Sequence, residues 1–327
     1  MNARKATVDI IYSGVNITAD LKPYQQNFSF KEVAGGGSDS ISINLVDRDR
    51  RWISGWFPTK KDKISCRISI VDWNYPGDNR YLNCGSFTVD DVSANGHPLK
   101  LSISAVSAPV STCFNSEDKT VTWESVTIRQ IAERIATDTG LYLVYDAPLD
   151  IFIAATEQNG TDCSFLNGLC DKYGLSMKIY NDKLVIYDRE SYKSRAAIAT
   201  INLDDMKSWN YNETLQGTYT GVKYSYSNGS NNSDIEFTYG SEERLLSVNL
   251  QATDLADAEL QAIASLNKAN HSAVTMSVTV MGNPSLVAGS NVYISGIGRP
   301  DGKYFIDEIT HSIGGGYTTS LTLSKVQ

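Results

Sequence analysis

One eight-residue pattern occurs twice in the chain, and it restricts the fold more than any other feature. Gly85-Ser-Phe87-Thr-Val89-Asp90-Asp91-Val92 and Gly302-Lys-Tyr304-Phe-Ile306-Asp307-Glu308-Ile309 both read Gly-x-aromatic-x-aliphatic-acidic-acidic-aliphatic. Each octet is followed by a glycine-containing turn, Asn95-Gly96 or Gly314-Gly315-Gly316, and then by an alternating run, Leu99–Ala105 or Tyr317–Leu323. Each is preceded by another alternating run, Ile64–Ile68 or Val292–Ile294. Alternation sends one set of side chains to a core and the other to solvent. The common order predicts a duplicated β meander, each copy the closing part of a small β-barrel or sandwich.

The flanking sequence extends this expectation. Val8–Tyr12, Phe28–Val33, Ile41–Leu45, Ile64–Val71, Tyr81–Val92 and Leu99–Val106 alternate between turn residues, so residues 1–112 are expected to form a first β-barrel domain. The texture then changes. Ile128, Ile131, Ala132, Ile135 and Ala136 fall on one helical face, with Ser125 or Thr127 as cap and Gly140 as terminator. A second helix is expected from Asp162 as cap to Gly174, followed by a hairpin of Leu175–Tyr180 and Leu184–Tyr187 through Asn181-Asp182. Residues 113–195 therefore read as an α+β insert. From 196 to 327 the pattern returns to β as a second barrel, with a long hairpin around Ser227–Asp234 and one helix over Leu255–Ala269 capped by Asp254. The fold class expected is mainly β, α+β overall.

Charge and composition narrow the function. Of 29 basic and 37 acidic residues, 13 and 11 fall in residues 1–110, leaving 16 and 26 beyond. The acidic majority argues against stable nucleic-acid binding, which needs basic surface to neutralise phosphate. Five cysteines (Cys66, Cys84, Cys113, Cys163, Cys170) lack metal-ligand spacing and read as reduced core thiols. No run approaches a membrane span, and the first residues lack the apolar core of a signal peptide.

No pattern asks for a cofactor, a metal or a catalytic group. His311 sits in an alternating strand and reads as a turn-holding hydrogen-bond partner. Asp90-Asp91 and Asp307-Glu308 would point to opposite faces of regular strands, which excludes a paired acid–base system and favours salt bridges or strand-end capping. The glycine triplets lack the Lys-Ser/Thr of a phosphate loop and read as turns. The segment from Arg48 through Arg50, Arg51, Trp52, Trp56, Lys60 and Lys61 to Lys63 mixes basic and aromatic residues. It is the leading candidate for a protein-docking surface, since such residues are enriched at interfaces. The Ser227–Asp234 tip is a second candidate. Trp73 and Tyr75 are the residues a cell-wall carbohydrate-binding alternative would use.

These motifs, in this order, resemble the phage late control D family of tail hub proteins. The resemblance rests on Gly85–Val92 with Leu99–Ala108, on Trp123 with Ile128, Ile131, Ala132, Ile135 and Ala136, and on Gln158 with Asp162, Phe165, Leu166, Leu169, Tyr173 and Gly174. It continues in Gly282, Leu286, Gly289, Tyr304, Ile306, His311, Gly316, Tyr317, Thr318, Thr319 and Leu321, so it covers nearly the whole chain. The motif positions Gly85, Phe87, Asp90, Gly302, Tyr304, His311, Gly316 and Tyr317 would then be structural. The resemblance implies a homotrimeric ring of six quasi-equivalent barrels that joins a sixfold tail tube to a threefold central spike, in a contractile phage tail or R-type bacteriocin. The partners implied are the chain itself, the tube protein, a separate spike protein and other baseplate proteins.

Overall fold

Two sets of six strands are arranged in the same order. The computed structural model describes residues 3–108, 113–227 and 235–326. The first set comprises β1 (Lys5–Tyr12), β2 (Gln25–Val33), β3 (Ser40–Val46), β4 (Lys63–Val71), β5 (Arg80–Asn95) and β6 (Lys100–Val106). The second comprises β7 (Ala197–Asn202), β8 (Met206–Glu213), β9 (Val274–Met281), β10 (Asn291–Ser295), β11 (Gly302–Ile313) and β12 (Tyr317–Lys325). Neighbours in the first unit run β2-β3-β6-β5-β4-β1, and in the second β8-β9-β12-β11-β10-β7. The units differ at one end: β1 lies antiparallel to β4, whereas β7 lies parallel to β10.

The two units share one sheet. β11 pairs with β10 through its first residues and with β2 of the first unit through Glu308–Ile313. All twelve strands, with the short Val15–Asn16, form one 13-stranded sheet. Among the described residues the recorded pairing is an open path rather than a closed ring. Each unit keeps its own core. Phe28, Phe30, Ile41, Ile43, Ile68 and Phe87 are buried in the first, and Val278, Val292, Ile294, Tyr304, Ile306 and Leu321 in the second. Tyr317 crosses this division, for it belongs to β12 yet packs in the first core.

Between the units lies the α+β insert. Helix Ile128–Thr139 starts with a capping box in which Thr127 Oγ1 accepts from Gln130 N at 3.2 Å and Gln130 Oε1 accepts from Thr127 N at 2.9 Å. It ends at Gly140 in the left-handed conformation (φ 73°). The second helix, Asp162–Lys172, is capped by Thr161 rather than Asp162. Asp162 is instead buried, holding Lys119 at 2.6 Å and Gln158 at 2.7 Å. The Leu175–Tyr180 and Lys183–Asp188 hairpin forms around left-handed Asn181 and Asp182, as a two-residue turn requires. A strand over Lys119–Thr127 pairs with Phe152–Gly160 and was not expected.

A separate lobe is inserted between β8 and β9. Strands Gly221–Tyr226 and Ile235–Gly240 pair as the expected hairpin, with Leu245–Val248 parallel beside the first. Helix Leu255–Asn270, capped by Asp254, covers them. The tip residues 228–234 lie outside the described residues.

Candidate functional site: the junction of the two units and the basic loop

The duplicated octets share an irregularity as well as a sequence pattern. Pairing of β5 with β6 shifts between Val89 and Asp91, and pairing of β11 with β12 shifts between Ile306 and Glu308. Asp90 and Asp307, the same position of the octet, are therefore the extra residues of two equivalent β-bulges. The register on the other side agrees too: Ile64 faces Phe87 as Val292 faces Tyr304. Val89 donates to Asp62 O and accepts from Lys61 N, while Ile306 donates to Ser290 O and accepts from Gly289 N, each at 2.9 Å.

The bulge overturns the expected opposite-face placement of the acidic pairs. Asp90 and Asp91 are both exposed. In the second unit, Asp307 Oδ1 lies 2.9 Å from His271 Nε2 and Glu308 Oε2 lies 2.7 Å from Lys31 Nζ. Each carboxylate thus has its own partner, and the Glu308 pair bridges the two units.

Behind this ladder the junction is closed by buried polar groups. His311 Nδ1 shares a 2.8 Å hydrogen bond with the Tyr317 hydroxyl and lies 3.3 Å from Thr319 Oγ1, while its ring stacks on Phe30 of the first unit at 6.1 Å. Burial pushes the His311 imidazole down to about 4, so the ring is neutral at ordinary pH. Trp73 Nε1 donates to Gly282 O at 2.7 Å, and the two rings of Trp73 and Tyr317 meet at 5.5 Å. A Cβ on Gly282 would lie 2.1 Å from the Tyr317 ring, so the site admits only glycine.

The insert is tied to the same place. Lys178 Nζ lies 3.3 Å from Glu32 Oε1 and 3.7 Å from Asp39 Oδ2, and Glu32 Oε2 accepts from Ala288 N at 3.2 Å. Residues of the first unit, the insert and the second unit therefore meet at one carboxylate. Burial pushes Asp39 up to about 7, opposed by the Lys178 ammonium. Gly37–Ser38 pair with Leu175–Tyr180, and Tyr187 donates its hydroxyl to Ala34 O at 2.7 Å. What this arrangement can do chemically is hold three bodies in fixed relation.

The basic loop is part surface and part core. Arg48, Arg50, Arg51, Trp56, Lys60, Lys61 and Lys63 are exposed, but Trp52 is buried in the first core, edge-on to Tyr24 and Trp56. Arg51 lies over the Trp56 ring at 5.4 Å and reaches Asp49 at 3.2 Å. Lys63 sits 3.6 Å from Asp182 of the insert. Trp52, Trp56 and Phe57 line an apolar cavity of about 310 Å³ with Ile10, Leu21 and Ile43. Of the remaining motif residues, Phe87 and Tyr304 are buried, while Gly85, Gly302 and the exposed Gly316 adopt positive φ.

Trp73 is buried at the junction, which corrects its expected place on an exposed carbohydrate-binding surface; Tyr75 is exposed. Among the described residues there is no group of three His, Cys, Asp or Glu placed to hold a metal, and no helix is long and apolar enough to cross a membrane. Burial raises the thiols of Cys66, Cys84, Cys163 and Cys170.

Comparison with known proteins places these features in context. The YQBQ-like family matches residues 113–324. A probable baseplate hub protein of Escherichia phage 186 is 25% identical over 214 residues, covering 63% of this chain and 52% of that protein. The chain thus spans about half the length of that curated relative. The tail protein of Neisseria meningitidis MC58 is similar in fold, with TM-score 0.71 and 14% identity over 98% of this chain and 96% of that one. So is the 43 kDa tail protein of prophage MuSo2 from Shewanella oneidensis, with TM-score 0.72 and 12% identity over 98% of both chains.

Proposed function

The chain belongs to the YQBQ-like family, and on that premise we propose that it is a non-enzymatic structural hub at the base of a phage tail or tail-like particle. The observation that carries this reading is the duplicated six-strand frame locked into one sheet by β11. A chain that offers the same frame twice lets three copies present six equivalent frames. That is the geometry needed where a sixfold tube meets a threefold spike.

In this reading the chain forms a homotrimeric ring, with the tube protein on one face and a central spike protein on the other. Residues 1–112 and 196–327 supply the frames, and residues 113–195 supply the wedge that sets their spacing. The basic loop from Arg48 to Lys63 docks on a neighbouring subunit or tube ring. The name of the phage 186 relative and the fold of the two tail proteins support the assignment to a baseplate. A cell-wall carbohydrate-binding role loses one of its two aromatic residues with the burial of Trp73.

The test is solution mass by light scattering, of the chain alone and mixed with its tube or spike partner, alongside electron microscopy. A trimer in either setting with threefold projections is expected. A chain that stays monomeric in both, and binds wall glycan, would overturn the hub reading.

A further inference from the structure

The two frames share an octet pattern, a strand order and a bulge position, yet their edges are not equally covered. In the first unit, the outer edge of β2 is paired by β11 from Glu308 opposite Val33 to Ile313 opposite Phe28. The matching edge of the second unit is β8, which among the described residues pairs with β9 alone. The matching half of β5, Asp91–Asn95, pairs with β6 on one side and, among the described residues, with no strand on the other. One junction of the pair is filled within the chain, and its equivalent is bare on both halves.

Side-chain exposure marks the same asymmetry. Phe28 and Phe30 of β2 face Ile43 and Ile41 and are fully buried. Their counterparts on β8, Trp209 and Tyr211, face core residues Val278 and Met276 of the second unit. Trp209 nevertheless stays 44% exposed, and Tyr211 is only partly buried. The correspondence of the two edges is close, for each carries a register shift at the same place, after Gln25 in β2 and after Met206 in β8. An eight-residue edge strand with inward-facing aromatics uncovered is a template for another strand.

We infer that the bare edge of β8 is paired, antiparallel, by the distal half of β5 of a second copy of this chain. Superposing the internal junction on the open one sets the register, from Asp91 opposite Thr214 to Gly96 opposite Trp209. Ser93 then faces Asn212 of the second copy, and Ala94 faces Tyr211. The contact is head-to-tail, so each copy donates one edge and receives the other, and repetition either closes a ring or extends a filament. The inference rests on the hub reading in requiring self-association; it adds which strands meet and in what register.

Paired cysteines test it. In the full chain, Ser93→Cys with Asn212→Cys, and Ala94→Cys with Tyr211→Cys, put thiols opposite each other across copies. Ser93→Cys with Asn210→Cys is two residues out of register, and each single variant is a control. Air oxidation followed by non-reducing gel electrophoresis is expected to give covalent oligomers from the in-register pairs, at least fivefold more than from the offset pair. A second variant, Ser93→Lys with Asn212→Lys, sets like charges face to face and is expected to weaken association at least tenfold while circular dichroism stays unchanged. Equal cross-linking in and out of register, or none in a chain that light scattering shows to be oligomeric, overturns the junction and leaves the hub reading standing. A chain that is monomeric alone and with its tail partners overturns both.

Discussion

Lys61 and Gly289 hold the same left-handed backbone, at φ 76° and φ 81°, at the same place beside the two equivalent bulges. Glycine adopts that conformation without strain; lysine, with its Cβ against the carbonyl oxygen, does not. Lys61→Gly is therefore expected to stabilise the first unit by about 1 kcal/mol, read as a higher urea midpoint. An unchanged or lower midpoint would mean that Lys61 makes a contact worth more than its strain.

Gly282 is the opposite case, a glycine required by contact rather than by φ. Gly282→Ala drives a methyl group into the Tyr317 ring and displaces the carbonyl that accepts from Trp73. Overpacking of this kind costs about 3 kcal/mol. Thermal unfolding should show the loss, with tryptophan fluorescence reporting the disturbed Trp73. Trp73→Phe keeps most of the packing and removes one hydrogen bond, so a loss of about 1 kcal/mol is expected.

His311 and Asp39 titrate in opposite senses. His311 falls from 6.5 unfolded to about 4 folded, so its contribution is whole above pH 6.5 and is lost as pH falls toward 4. Asp39 rises from 3.8 unfolded to about 7 folded, so its contribution is whole below pH 3.8 and is lost as pH rises toward 7. Between about pH 4 and 6.5 the folded chain holds one proton more at Asp39 and one fewer at His311, and the two slopes cancel. Asp39→Asn should unmask the histidine, with stability falling by about 1.4 kcal/mol per pH unit on acidification through that window. His311→Gln should tilt the profile the other way. Urea midpoints measured from pH 4 to 7 decide it; parallel profiles for both variants and the parent would refute the pairing.

Arg50→Glu with Arg51→Glu addresses the basic loop. Both side chains are exposed, so the folded chain should keep its thermal midpoint to within about 0.5 kcal/mol of equivalent stability. Assembly with the tube partner should weaken at least tenfold in light scattering at low salt, and less at high salt, where screening already reduces the attraction. Unchanged assembly would remove the loop from the interface.

The frame was legible because its signals are local. Alternating Ile41, Ile43 and Leu45 are buried in the expected sense, and Thr127, Gly140 and Asp254 stand where caps and terminators are needed. What escaped was set by distant partners. Nothing near Glu308 says that it pairs beside Val33, 275 residues earlier. Trp73 lies in a turn that looks exposed until Gly282 is brought to it. Lys119–Thr127 was missed because its strand is polar and half-exposed, so the apolar alternation is weak. The bulge at Asp90 was hidden because an extra residue leaves the sequence pattern intact. One signal was available and unused: Lys61-Asp62 stands before Ile64 as Gly289-Ser290 stands before Val292, and that spacing marks Lys61 as a residue in a glycine position.

β11 also has a mechanical consequence. Because the strand is hydrogen-bonded to β10, β12 and β2 at once, the two units cannot hinge about a linker. A force that slides one past the other loads the ladder from Glu308 to Ile313 in shear, so its bonds share the load and must yield together. A force that peels them apart opens the same ladder from one end, one bond after another. The joint is a splint rather than a pivot, and it transmits displacement from one frame to the next with little damping.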